Sequence, residues 1–206
     1  RMTTIWPNKP SYWEQLAGVY MVMEEPQLAL ASLKIAFHSH ILDKESSLRS
    51  LVQLALMQGV PEHAARLLDD AISDQLLPET AEYLRMEAQA WTQARESVEA
   101  IGTLRKLAGI EEDGDAWMQI AQIQLESSRW AEAESATQNA LSQGFESPGK
   151  AWLILGIAQS ELGKFDDARE ALQKAVGFES TSKSAKAWMR YSSDMKRQAD
   201  WIASNR

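Results

Sequence analysis

Three histidines, His38, His40 and His63, are the only imidazoles in the chain, and there is no cysteine. Without thiolates, imidazoles are the natural place to look for a zinc site. His38 and His40 stand two residues apart at the end of an expected helix, so their rings cannot share one helical face. A metal would also need His63 and a carboxylate such as Asp43 to converge on them. The plainer reading, exposed imidazoles in a loop and on a helix, is preferred, and no metal ligand set is expected.

Acid–base chemistry would need a carboxylate pair held in two different environments. The runs Glu111-Glu112-Asp113 and Asp166-Asp167 fall in expected turns and helix starts, where the helix dipole favours acids. There is no glycine-rich phosphate loop and no Gly-x-Ser-x-Gly elbow. The missing cysteine excludes thiol catalysis, disulfides and iron–sulfur ligation. The sequence therefore carries no catalytic residue and implies no cofactor, and the chain is expected not to be an enzyme.

Charge narrows the partners. The formal charge is −8 and is unevenly spread. Residues 79–146 carry 13 acidic and 5 basic side chains, whereas 147–206 carry 7 and 10. An acidic middle repels phosphate backbones, so nucleic acid is not an expected partner. The basic end, with Lys183, Lys186, Arg190, Lys196 and Arg197, reads as a solvated helix face. No apolar run approaches the roughly 18 residues that a membrane span needs, so no direct membrane insertion is expected. The chain begins at Arg1 without a visible signal peptide and reads as an excised piece of something longer.

The elements that position any working surface are legible in a repeat. In a chain of 206 residues with 10 Gly and 6 Pro, eight Trp is a heavy allotment. Asp115-Ala-Trp117, Lys150-Ala-Trp152 and Lys186-Ala-Trp188 place three of them 35 and 36 residues apart. The same period leads back to Leu84, Leu48 and Trp13. Small residues recur where two antiparallel helices would touch, with large ones beside them: Trp152, Leu155 and Gly156, then Ala168, Leu172 and Ala175. Pro26 and Pro61 are expected to open second helices, and Pro148 a first helix. Gly59, Gly144, Gly163 and Gly177 are expected to end helices in the left-handed conformation. Ser11-Tyr-Trp-Glu14 reads as a capping box starting the first helix. In the third unit the register is set on Leu84, because Ala88 fits a helix contact and the Glu87 carboxylate does not.

This pattern resembles the tetratricopeptide repeat (TPR) family along the whole chain. The resemblance implies an all-α, right-handed α-solenoid of antiparallel helix pairs in a single domain, 1–206. About five units are expected, at 10–43, 45–78, 81–112, 114–146 and 149–180. A capping helix follows at 183–204, with Trp188, Tyr191, Met195 and Trp201 as its apolar stripe. In that family the first helices line a concave groove that binds proteins or peptides. The register then assigns one groove position to Glu14, Arg49, Arg85, Met118 and Leu153. A second, four residues later, holds Gly18, Gln53, Gln89, Gln122 and Ile157.

A strip of Arg49, Gln53, Arg85, Gln89 and Gln122 follows. Glutamine amides suit a peptide backbone and arginine forks suit carboxylates. Met57, Leu125 and Leu153 would hold apolar side chains of the ligand. Glu14 and Gly18 depart from the Lys/Asn clamp with which the family grips chaperone tails, so capture of such a tail is not expected.

The opening Pro-Asn-Lys-Pro-Ser-Tyr-Trp-Glu-Gln-Leu and the stretch Ala-Gln-Ala-Trp-Thr-Gln-Ala-Arg also resemble the C-terminal half of bacterial TPR proteins associated with TonB–ExbB–ExbD systems. That resemblance implies a periplasmic scaffold assisting outer-membrane transport; the alternative compartment is the cytoplasm. The alternative function is self-association, a homo-oligomer formed through the solenoid ends near Trp6 and Tyr12.

Overall fold

The computed structural model describes residues 2–205, and among them every regular element is a helix. They fall into two compact units, Arg1–Thr103 and Leu104–Arg206. The first holds a short leading turn, α1 (Met2–Ile5), then α2 (Pro10–Val22), α3 (Pro26–His38), α4 (Glu45–Met57), α5 (Pro61–Ser73) and α6 (Ala81–Ala94). Helix α7 (Ser97–Ala108) crosses the division. The second unit continues with α8 (Asp115–Glu126), α9 (Trp130–Ser142), α10 (Pro148–Glu161), α11 (Phe165–Val176) and α12 (Glu179–Ser204). Within each unit consecutive helices pack on one another: α2 on α3, α4 on α5, α8 on α9, α10 on α11.

The small residues of the repeat are the packing surfaces. Ala29, Ala36, Ala55, Ala64 and Ala65 are fully buried in the first unit, and Ala133, Ala140, Ala151, Ala168 and Ala175 in the second. Gly156 shows how close the helices come. A Cβ built there would lie 2.5 Å from Leu172 Cγ, so α10 and α11 meet where only hydrogen fits. Large side chains fill the flanks, with Leu48, Leu51, Leu68, Leu84, Leu104 and Leu172 each at most 1% exposed.

The helix starts follow the prolines. Pro26, Pro61 and Pro148 all occupy the first turn of their helices, where a missing N–H costs nothing. Pro10 does the same, so α2 begins one residue ahead of Ser11, and its N-cap is Lys9 with no side-chain cap. The capping-box reading of Ser11 is thereby corrected: proline pre-sets the first helical φ and displaces the serine into the helix.

Turns between the paired helices each contain one left-handed residue, at Glu24, Gly59, Arg95, Ser128 and Gly163. Glycine fills two of the five; the geometry is set by the repeat and tolerated elsewhere by residues with a Cβ. Gly177, expected to be left-handed, has φ −65° and simply continues the right-handed turn.

Three further expectations change. Glu87 is 2% exposed although its carboxylate was expected to be excluded from a helix contact. It accepts from Thr103 Oγ1 at 2.6 Å and Trp91 Nε1 at 3.2 Å, and these donors make its burial tolerable beside the equally buried Leu84 and Ala88. Helix α12 starts at Glu179 rather than 183. Its stripe is covered only in part: Trp188 and Met189 pack on Leu172, Ala175 and Ala185, while Tyr191, Met195 and Trp201 stay exposed.

Candidate functional site

A hollow of about 450 Å³ in the first unit lies between α2 and α4. Its floor is apolar, formed by Ala17, Leu33 and Leu54, with Met21 and Met57 nearer the mouth. Glu14, Lys44, Ser46, Ser50 and Gln53 make a polar rim. The helical period explains the assembly: Gly18 and Met21 on α2, and Ser46, Ser50, Gln53 and Met57 on α4, each recur at three or four residues and so share one face. At Gly18 a side chain would meet nothing within 4 Å, which leaves the mouth open. Ser47 donates to Glu14 Oε1 and ties the two helices together along the edge of the hollow.

Gln53 and Met57, two of the residues expected to contact a partner, therefore line one cavity, and Met57 is 74% exposed. A flexible thioether at a mouth adapts to apolar side chains of different shape.

Arg49, one turn before Gln53, is occupied by the protein itself. Its guanidinium donates to Glu82 Oε1 at 2.7 Å and to Tyr83 Oη at 3.1 Å, with Glu45 3.5 Å away. Tyr83 in turn donates to Glu45 Oε1 at 2.5 Å. The hydrogen bond to Tyr83, its charge interaction with that phenol, and Glu82 hold the Arg49 guanidinium above its ordinary pKa. Burial, followed by the hydrogen bond to Glu45, pushes the Tyr83 phenol up. The cluster joins α4 to α6.

Arg85 and Gln89 stand exposed on α6. In the second unit Gln122 is exposed on α8, while Leu125 and Leu153 are half-buried. Leu153 packs beside Trp152 on the core of Leu172, Ala175 and Ala185. Met118, assigned to the same groove position as Arg49, is 2% exposed and packs with Ala140 and Ala151; two small neighbours leave room for its side chain to turn inward. That assignment is corrected.

Sequence reasoning missed Ser46, Ser47, Ser50 and Lys44. The serines were visible as a polar face of α4, but their worth depends on the gap beside α2, which no local pattern encodes. His38, His40 and His63 are exposed, and no group of three or more potential metal ligands converges among the described residues. No helix among them is long and apolar enough to cross a membrane.

Known proteins bear on this architecture. The sequence model of the tetratricopeptide repeat family matches residues 49–116 and 118–188. The fold is similar to a MamA structure from AMB-1, with TM-score 0.60 and 14% identity over 82% of this chain and 91% of that one. It is also similar to YrrB, described as a TPR protein with an unusual peptide-binding site, with TM-score 0.59 and 14% identity over 90% and 94%. A tetratricopeptide repeat protein from Parabacteroides merdae aligns with TM-score 0.57 and 16% identity over 94% and 76%. No curated protein matches the sequence. The matched repeats span most of the chain, and it belongs to the tetratricopeptide repeat family.

Proposed function

We propose that the protein is a non-catalytic scaffold that binds a protein or peptide partner through the first helices of its repeats. The observation that carries this reading is the hollow between α2 and α4, where Gln53 and Met57 meet Gly18 and Met21 over an apolar floor. Its volume suits one or two apolar side chains of an extended ligand, and the Gln53 amide can both donate to and accept from that ligand's backbone. The description of YrrB as carrying a peptide-binding site supports the same use of the fold. Arg85 and Gln89 on α6 extend the surface in the first unit; Gln122, Leu125 and Leu153 are the corresponding positions of the second. The resemblance to TonB-associated TPR proteins extends the proposal to support of an envelope transport system.

The test is selection of displayed peptides on the intact chain, followed by affinity measurement with Gln53→Ala and Met57→Glu. Both side chains are exposed, so the unfolding temperature stays unchanged while affinity for selected peptides falls. Retained affinity in both variants overturns the assignment of the hollow.

A second reading rests on the first helix pair. Val19, Val22, Met23, Leu28 and Ile35 are all exposed, Val22 at 86%, as is Trp6, and exposed apolar side chains gathered near one end favour self-association. Sedimentation at several concentrations decides it: a strictly monomeric chain removes this reading.

A further inference from the structure

A second hollow, of about 550 Å³, lies between α11 and α12 in the second unit and is lined by Arg169, Met189, Arg190, Ser193, Asp194 and Arg197. Arg190 and Arg197 are seven residues apart on α12, two helical turns, and so face the same way; Arg169 comes to them from α11. Three arginines and a single carboxylate thus line one hollow.

The acid lining the hollow and the one that opens the charged face of α11 are already engaged. Asp194 pairs with Arg197, and Asp166 accepts from Lys196 at 2.6 Å, which holds the Asp166 carboxyl below its usual range. Arg169 and Arg190 make no ion pair or side-chain hydrogen bond among the described residues, and both are exposed. Two arginines at the edge of this hollow therefore have no ion pair, in the stretch 147–206 where basic residues outnumber acidic ones.

We propose that this hollow binds a phosphate monoester. The lining carries three positive charges and one negative, a net +2. A phosphate monoester carries about −1.5 to −2 near neutral pH, which matches the charge, and its three terminal oxygens supply acceptors for both free forks. A carboxylate offers half the charge and two oxygens, so it leaves one fork unused. The Ser193 hydroxyl can donate to a fourth position, and Met189 gives an apolar wall for the carbon attached to the ester oxygen. The phosphate can be free in a small molecule or borne by a side chain of a peptide. The inference is independent of the hollow between α2 and α4.

The test is nitrogen-15 NMR of the whole chain, titrated at constant ionic strength with inorganic phosphate, a phosphoserine peptide and acetate. Phosphate and phosphopeptide should shift amides around Arg169 and from Met189 to Arg197 in a saturable way, with acetate weaker by about tenfold for the lost charge and fork. Tighter binding of the phosphopeptide than of phosphate assigns a protein-borne source, and equal binding a free one. Arg169→Gln with Arg190→Gln should abolish the shifts while the rest of the spectrum stays in place. Arg190→Lys, which keeps the charge and loses the fork, should weaken binding only in part. Equal binding of acetate, shifts scattered over all basic residues, or an unaffected double variant overturns the proposal.

Discussion

The guanidinium of Arg49 on α4 meets the carboxylate of Glu82 on α6 at 2.7 Å, a link between the first helices of adjacent repeats. It makes Arg49 a structural residue as well as a candidate contact. Arg49→Glu would place a third carboxylate between Glu45 and Glu82, where like charges repel. The unfolding temperature should fall by a few degrees. Arg49→Gln, which keeps hydrogen bonding without adding charge, should lower it less, and high salt should narrow the difference between the two. Equal unfolding temperatures for wild type and Arg49→Glu would show that the link contributes nothing in solution.

Tyr83 gives the same cluster a pH signature. Its phenol pKa is raised in the folded protein, so stability from the neutral hydroxyl is full below the ordinary tyrosine value near 10 and is lost as pH rises through the raised value. Ultraviolet titration should show a late-ionising phenol that Tyr83→Phe removes. The variant should also lose less stability than wild type between pH 10 and the onset of alkaline unfolding.

Buried Glu87 yields a sharper number. Thr103→Val preserves shape but withdraws the 2.6 Å hydrogen bond to a carboxylate that is 2% exposed. A buried acceptor left without its partner costs about 1–3 kcal/mol. Urea unfolding should show a loss of about 2 kcal/mol with an unchanged m value.

Glu87 also marks where the sequence stops being legible. The repeat period, the helix starts at Pro26 and Pro61 and the small-residue contacts are local or periodic, and they can be read directly. Whether Glu87 is acceptable in the core depends on Thr103, 16 residues away on the next helix. The hollow between α2 and α4 depends likewise on a separation between helices: Gln53 and Met57 were readable as one face, but Arg49 was not readable as a residue held by Glu82 and Tyr83. The inward turn of Met118 has the same origin, since it follows from alanines at positions 140 and 151 rather than from its own place in the repeat.

The left-handed residues between paired helices offer stabilising changes. Arg95 at φ 62° and Ser128 at φ 56° occupy the place that Gly163 fills at φ 73°. A Cβ there costs about 1–2 kcal/mol, and glycine returns part of that gain through its freer unfolded state. Ser128→Gly and Arg95→Gly should each stabilise by up to about 1 kcal/mol, and Gly163→Ala should destabilise by about as much, all measured by denaturant midpoint.

Gly156 reverses that expectation, because its constraint is space rather than backbone angle. A Cβ at this position would lie 2.5 Å from Leu172 Cγ and 3.2 Å from the Ala168 carbonyl oxygen. The leucine can shift only by disturbing a fully buried cluster, and the carbonyl is part of the backbone of the facing helix, α11. Gly156→Ala should therefore cost about 1–3 kcal/mol, as overpacking does, despite the higher helix propensity of alanine. Leu172→Ala alone should cost about 2–5 kcal/mol through the cavity it opens. In the double variant the new methyl enters the space the leucine vacates, so the combined loss should be smaller than the two losses taken together. Strict additivity would mean that α10 and α11 part to admit the methyl, and that the close approach at Gly156 is not what sets their separation.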